Sequence, residues 1–203
     1  MITIAGVICL VLGLGLLGWS GYDLFWNPLV DPQVAAQERA ELREQWDADA
    51  PEPARALPGD AVALLRIPAF GDEFEQPVLV GTDLPTLKRG LGWYEGTASP
   101  GEIGNFAVAG HRGTRGPFAP LLELTAGDQV IVETATEIYT YELTNNPAEM
   151  TVKDTDTWVL QPVPGHPEVR PTKALITLTT CHDLFRSANR TVAFGALIST
   201  QDK

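Results

Sequence analysis

Residues 2–22, ITIAGVICLVLGLGLLGWSGY, carry no charged side chain, and the first one met is Asp23. Wound as an α-helix, a run of about 21 residues is roughly 30 Å long, the thickness of a bilayer's hydrocarbon core. The run therefore predicts one N-terminal transmembrane helix, in contact with lipid through residues 2–22. Trp19, Tyr22, Phe25 and Trp26 stand where an interfacial aromatic belt belongs. A cleaved secretory signal is the rival reading. The run is long for one, and no small-x-small cleavage site follows it, so a retained anchor over residues 1–26 is the expectation. No Lys or Arg precedes the run, so its orientation rests on the α-amino group and on the chemistry described below. The expected placement is a single-pass cell-membrane protein with its bulk on the extracellular face. Gly13, Gly15 and Gly18 spell GxGxxG inside the run. That string binds dinucleotides only between a strand and a helix of a βαβ unit, so no cofactor is read from it.

Residues 31–60 hold eight acidic and three basic residues. VAAQERAELREQW within them has the pattern of a weakly amphipathic helix with Leu42 and Trp46 on one side, but a solvated tether over 27–60 is the expectation. ADAPEPARALPGD is rich in Pro and Ala and predicts an extended, semi-rigid spacer. The formal net charge of −12 excludes the basic footprint of a nucleic-acid-binding protein. With 44% hydrophobic residues, the chain can form a real core.

From Ala61 to Lys203 the texture changes to short apolar runs punctuated by Gly, Pro and Asp. AVALLRI, PVLVG, NFAVAG, QVIVET, EIYTYEL, ALITLTTC and RTVAFGALI read as strands, and a short one is expected near Met150. DLPTLKRG and PFAPLLEL read as short helical pieces. Strands at this spacing, with few long helices, predict a mostly antiparallel β-barrel or sandwich.

Two cysteines are present. Cys9 lies in the apolar run and is expected to be inert, which leaves Cys181 alone in the rest of the chain. A single cysteine in an exported domain is a buried residue at a strand end, a partner in intermolecular pairing or a free reactive thiol. Leu175, Thr177, Thr179 and Cys181 share one face by period-two alternation. If residues 182–189 connect antiparallel neighbours, Arg190 lies beside Cys181, where a guanidinium would favour a thiolate and an oxyanion. Arg112 and Arg186 are the rival cations. A thiol nucleophile also needs a proton partner. His166 sits in a proline-flanked loop, and His182 follows the cysteine directly, so its side chain should point away. His111 emerges where an apolar strand ends at Gly110, a position that is structural as readily as catalytic.

GNFAVAGHRG, with PF six residues after the histidine, then GDQVIV, TLTTC and Arg190 at the head of the last strand, resembles the sortase family of cysteine transpeptidases. RIPAFG, PVLVGTD, GTASPGEIGNFAVAGHR and TDTWVLQP are similar to sortase segments in the same order, so the resemblance covers residues 61–198. It implies an eight-stranded β-barrel with short helices, and assigns His111, Cys181 and Arg190 as the catalytic set. Cys181 would attack the threonine carbonyl of an LPxTG-like sorting signal, and His111 would protonate the departing glycine amine. Arg190 would hold the substrate backbone and the oxyanion, and Thr180 would help shape the oxyanion site. The implied partners are secreted proteins bearing a C-terminal sorting signal and a cell-wall amine that resolves the thioacyl intermediate.

TLTTCH is most similar to class E sortases, which favour LAxTG; classes D and F are the alternatives. Tyr94 falls where class E members carry an aromatic in the substrate groove. Asp183 stands where the family often has proline, and is expected to face solvent. The acidic residues form no spaced calcium loop, so no metal or cofactor is expected. L,D-transpeptidases place a His-Gly pair just before their cysteine, unlike TLTT here. A catalytically silent sortase-fold binding domain and a pilus-related sortase are the remaining alternatives.

Overall fold

Alternating β-branched and apolar residues, broken by Gly, Pro and Asp, pair into one continuous sheet. The computed structural model describes residues 2–25, 29–48, 56–183 and 187–203. Its strands are β1 (Ala61–Arg66), β2 (Glu75–Val80), β3 (Leu91–Trp93), β4 (Gly104–Ala109), β5 (Gln129–Glu133), β6 (Glu137–Leu143), β7 (Thr151–Lys153), β8 (Ala174–Cys181) and β9 (Asn189–Asp202). They run in the order β6-β5-β1-β2-β3-β4-β8-β9-β7, and a further β6–β9 pairing closes the ring. Eight strands thus form a closed barrel, with β7 as a ninth strand beside the first residues of β9. The 14 residues of β9 allow both contacts: Asn189, Arg190 and Thr191 pair with β7, while Gly195 to Asp202 pair with β6.

Most neighbours are antiparallel, but β2–β3 and β4–β8 are parallel. The three-residue β3 is not anticipated by the sequence pattern. Its Gly92 packs so closely that a Cβ there would lie 2.4 Å from the Gly81 carbonyl oxygen, so a glycine is required by proximity. Inside the barrel Leu65, Val78, Phe106, Val132, Tyr141, Ile176 and Leu178 form the main core. At about 1.5–3 kcal/mol for each fully buried large side chain, this is the dominant favourable term. A smaller cluster of Val152, Val159 and Val192, with Trp158 and Phe194 against it, lies on the outer face of β8 and β9.

Residues 32–47 do not form the expected solvated tether. They make a helix, α2 (Pro32–Asp47), after the helix α1 (Ile2–Phe25). The Asp31 carboxylate accepts from the N–H groups of Gln33 and Val34, and a proline stands in the first turn. Ala35 and Leu42 are buried, and α2 packs on β1 and β2. Ion pairs tie it down: Arg43 to Glu75 at 2.6 Å and Glu38 to Arg89 at 2.6 Å. The Lys203 ammonium lies 4.0 Å from the centre of the Trp46 ring. Docking through charge, with only a few apolar contacts, is why the helix has a faint amphipathic signature. Trp26 and the spacer residues 49–55 lie outside the described residues.

The transmembrane expectation is corrected. Among the described residues no helix is long and apolar enough to cross a membrane. The single-pass placement with an extracellular catalytic face, and the lipid contact through residues 2–22, are therefore withdrawn.

Candidate active site

The neighbouring strands β4 and β8 end where β9 begins, and their register decides which side chains meet. β4 and β8 run parallel with Ala109 opposite Thr179. Pairing continues past β4: the Gly110 N–H donates to the Thr179 carbonyl at 3.0 Å, and the Thr180 hydroxyl donates to the Gly110 carbonyl at 2.8 Å. His111 therefore emerges level with the end of β8, where Cys181 sits. On the other side, the antiparallel β8–β9 ladder sets Cys181 directly opposite Arg190. Directly opposed residues in an antiparallel pair share a face. Cys181, Thr179 and Thr177 thus lie on the outer face with Arg190, Val192 and Phe194, while Ile176, Leu178 and Ala193 fill the barrel.

Cys181 is a free, half-buried thiol. Arg190 is half-buried as well, and its guanidinium is held on two sides. Nη1 donates to the carbonyls of Ser187 and Asn189, the latter at 3.0 Å. Nη2 lies 3.6 Å from a carboxylate oxygen of Asp154. His111 is held through its backbone, since its carbonyl accepts the Phe118 N–H at 3.0 Å. Gly110 just before it packs on Phe118 and Leu91, where a Cβ would come within 2.6 Å of the Phe118 ring. Loss of hydration pushes the His111 imidazolium below its ordinary value of 6.5, and the positive charge of Lys88 adds to the effect. At neutral pH the ring is mostly an uncharged base.

The Tyr94 hydroxyl makes a 3.0 Å hydrogen bond with Thr179 Oγ1, which puts this ring on the outer face two residues from Cys181. Thr180 points the other way and is buried, its hydroxyl committed to Gly110. Its influence therefore runs through the backbone that carries His111. His182 turns to the opposite face from Cys181, with Nδ1 2.9 Å from Thr191 Oγ1 and 3.2 Å from Thr151 Oγ1. His166 is exposed beside Glu168, and Asp183 is exposed. Arg112 has a buried Nε with no hydrogen-bond partner among the described residues, and Arg186 lies outside them. No group of three or more His, Cys, Asp or Glu among the described residues could hold a metal ion.

Two features escape the sequence reading. The buried Asn105 side chain donates to the carbonyls of Val159 at 3.0 Å and Gln161 at 3.1 Å, and accepts from the Thr177 hydroxyl at 2.8 Å. This network pins the 3-10 turn Thr157–Leu160 over β8, and so walls the face leading to Cys181. The one available signal is an amide inside the apolar strand NFAVAG. The second feature is Asp154, which the exposed end of β7 brings to Arg190.

The family model for the sortase domain matches residues 65–198. Sortase SrtE1 of Streptomyces coelicolor is 31% identical over 98% of this chain, which spans 57% of that relative's length. The structure of sortase E from Streptomyces avermitilis shares 37% identity with a TM-score of 0.64, over 72% of this chain and 93% of that one. That of sortase E1 from S. coelicolor, with a tripeptide in its active site, shares 30% identity with a TM-score of 0.62, over 73% and 94% of the two chains. These relatives favour class E.

Proposed function

This chain belongs to the sortase family of cysteine transpeptidases, and from that membership we propose that His111, Cys181 and Arg190 cut and rejoin a sorting signal. The observation that carries the reading is the register: Cys181 is paired with Arg190 on one side, and on the other side stands the strand that delivers His111. The uncharged imidazole takes the thiol proton. The Cys181 thiolate attacks the threonine carbonyl between Thr and Gly of an LAxTG- or LPxTG-like signal. Charge gathers on the carbonyl oxygen, where the Arg190 guanidinium stabilises it. The tetrahedral adduct collapses to a thioester as the imidazolium gives its proton to the departing glycine amine. An incoming amine then attacks the thioester and gives its proton to His111; the adduct collapses to the new amide as the C–S bond breaks, and the imidazolium returns the proton to the departing thiolate, which regenerates the thiol. A lowered His111 pKa suits the second transfer, because a more acidic imidazolium donates more readily to a poor leaving group.

Tyr94, next to Thr179, lines the groove approaching the thiol, and class E similarity favours LAxTG. The acyl donors are secreted proteins with a C-terminal sorting signal, and the acceptor is a cell-wall amine. Catalysis belongs to residues 61–203, a reading supported by the sortase-domain match over residues 65–198. The test incubates the full chain with quenched fluorescent LAxTG and LPxTG peptides and an amine acceptor, beside Cys181→Ala. Cleavage between Thr and Gly that disappears in the variant, with ligated product formed, is the expected result. Cleavage that survives in Cys181→Ala would refute the assignment.

A further inference from the structure

The strands β7 and β9 form a clasp around Arg190, and we propose that Asp154 is the residue that positions its guanidinium for the reaction. The inference rests on the catalytic reading of Arg190 given above. β7 pairs with β9 so that Val152 stands opposite Arg190 and Lys153 opposite Asn189. The pairing runs one residue further, with the Asp154 N–H donating to the Ala188 carbonyl at 2.7 Å. Beside it the Lys153 ammonium donates to the Asn189 side-chain carbonyl at 2.7 Å. The Asp156 carboxylate accepts the Lys153 N–H at 2.7 Å and turns the chain just after the clasp. By strand alternation Asp154 shares the face of Val152 and Arg190, which is the face of Cys181. Its carboxylate is therefore delivered to Arg190 Nη2 by backbone register rather than by a flexible loop.

A guanidinium carries five N–H groups in a fixed fork. Two on Nη1 are used by the Ser187 and Asn189 carbonyls, and Nη2 faces Asp154. These contacts set the plane of the guanidinium and, among the described residues, leave the N–H groups of Nε and Nη2 without a hydrogen-bond acceptor, 3.6 Å being an ion-pair distance, for a substrate carbonyl or an oxyanion. Without Asp154 the Nη1 contacts still hold one end, but the plane is free to swing about it. A misplacement of about 1 Å costs on the order of a hundredfold in rate when a group must meet the transition state. A partial loss of aim costs less.

The experiment measures kcat and KM for sorting-signal peptide cleavage in the full chain, for the wild type, Asp154→Asn, Arg190→Lys and the double variant, with thermal midpoints alongside. The expected result is a fall of about tenfold in kcat for Asp154→Asn, KM within about twofold, and an unchanged midpoint, since Asp154 is exposed and its pair with the half-buried Arg190 is screened by solvent. In the Arg190→Lys background the Asp154→Asn change should have no further effect, because the two act as one unit. Wild-type or faster turnover by Asp154→Asn, or a loss that simply multiplies that of Arg190→Lys, overturns the inference and leaves the sortase reading standing. Full activity in Arg190→Lys overturns the inference together with the catalytic role of Arg190.

Discussion

The barrel carries two charge clusters that solve opposite problems. Beneath α2, Glu133 is only 5% exposed and is met by three cations: Lys203 at 2.8 Å, Arg66 at 3.5 Å and Arg43 at 3.9 Å. Where β8 ends and β9 begins, Arg190 is met, among the described residues, by one carboxylate at 3.6 Å and by backbone carbonyls. The first arrangement over-neutralises a buried charge and leaves it nothing further to bind. The second orients a cation whose Nε and Nη2 have no hydrogen-bond acceptor among the described residues, beside a free thiol. Ion pairs alone therefore do not distinguish scaffold from chemistry; on the catalytic reading proposed for Arg190, the count of uncommitted donors does.

The comparison breaks first at Glu133. Glu133→Gln leaves Arg43, Arg66 and Lys203 crowded around a neutral amide. Removing one partner of a buried ion pair costs about 3–5 kcal/mol. Because these cations are between 32% and 43% exposed, about 2–3 kcal/mol is expected after screening, read as a lower denaturant midpoint with peptide-cleavage kcat per folded molecule unchanged. A loss of kcat with stability intact would merge the two clusters into one functional unit.

Thr180→Val tests the opposite case with a near-isosteric change. It removes one buried hydrogen bond, worth about 1–2 kcal/mol of stability, but the bond lost is the one that holds the backbone entering His111. Activity should fall more than stability implies, by about tenfold in kcat/KM. A stability loss with full activity would show that Gly110 keeps its place without the hydroxyl.

Lys88→Gln sharpens the contrast with the smallest effect. His111 titrates below 6.5 in the folded chain, so between the folded and unfolded midpoints the unfolded chain binds the extra proton. Stability from this group is accordingly full above pH 6.5 and is lost as pH falls through the folded midpoint. Removing the Lys88 charge should move the imidazole's NMR titration midpoint upward without restoring it fully, since burial is the larger cause. No upward movement would confine the effect to burial.

How much was legible follows from where each contact is encoded. The Cys181–Arg190 pairing was readable because alternation in ALITLTTC and RTVAFGALI, with a short connection between them, fixes which residues meet. His111 was readable because an apolar strand stops at Gly110. β3 was hidden because LGW is three residues long and glycine-interrupted, and its pairing with β2 is parallel. The docking of α2 was hidden because its anchors, Glu75 and Arg89, lie 32 and 51 residues from Arg43 and Glu38 and leave no local pattern. Asp154 was hidden for a similar reason, since its place depends on the register of the short β7. The apolar N-terminal run misled in another way, since composition there says nothing of where the helix lies.

The contact between Leu29 and the loop after His111 has a mechanical consequence. Leu29 packs on Gly113, where an added Cβ would lie 2.3 Å from its Cδ1, and the Asp31 N–H donates to the Lys88 carbonyl at 3.0 Å. A pull on the chain ahead of Leu29 is borne first at these two points, before the ion pairs of α2 take any load. Tension at that end is thus felt by the loop that follows His111, while a pull at Lys203 loads the far side of the barrel through Glu133 and Trp46.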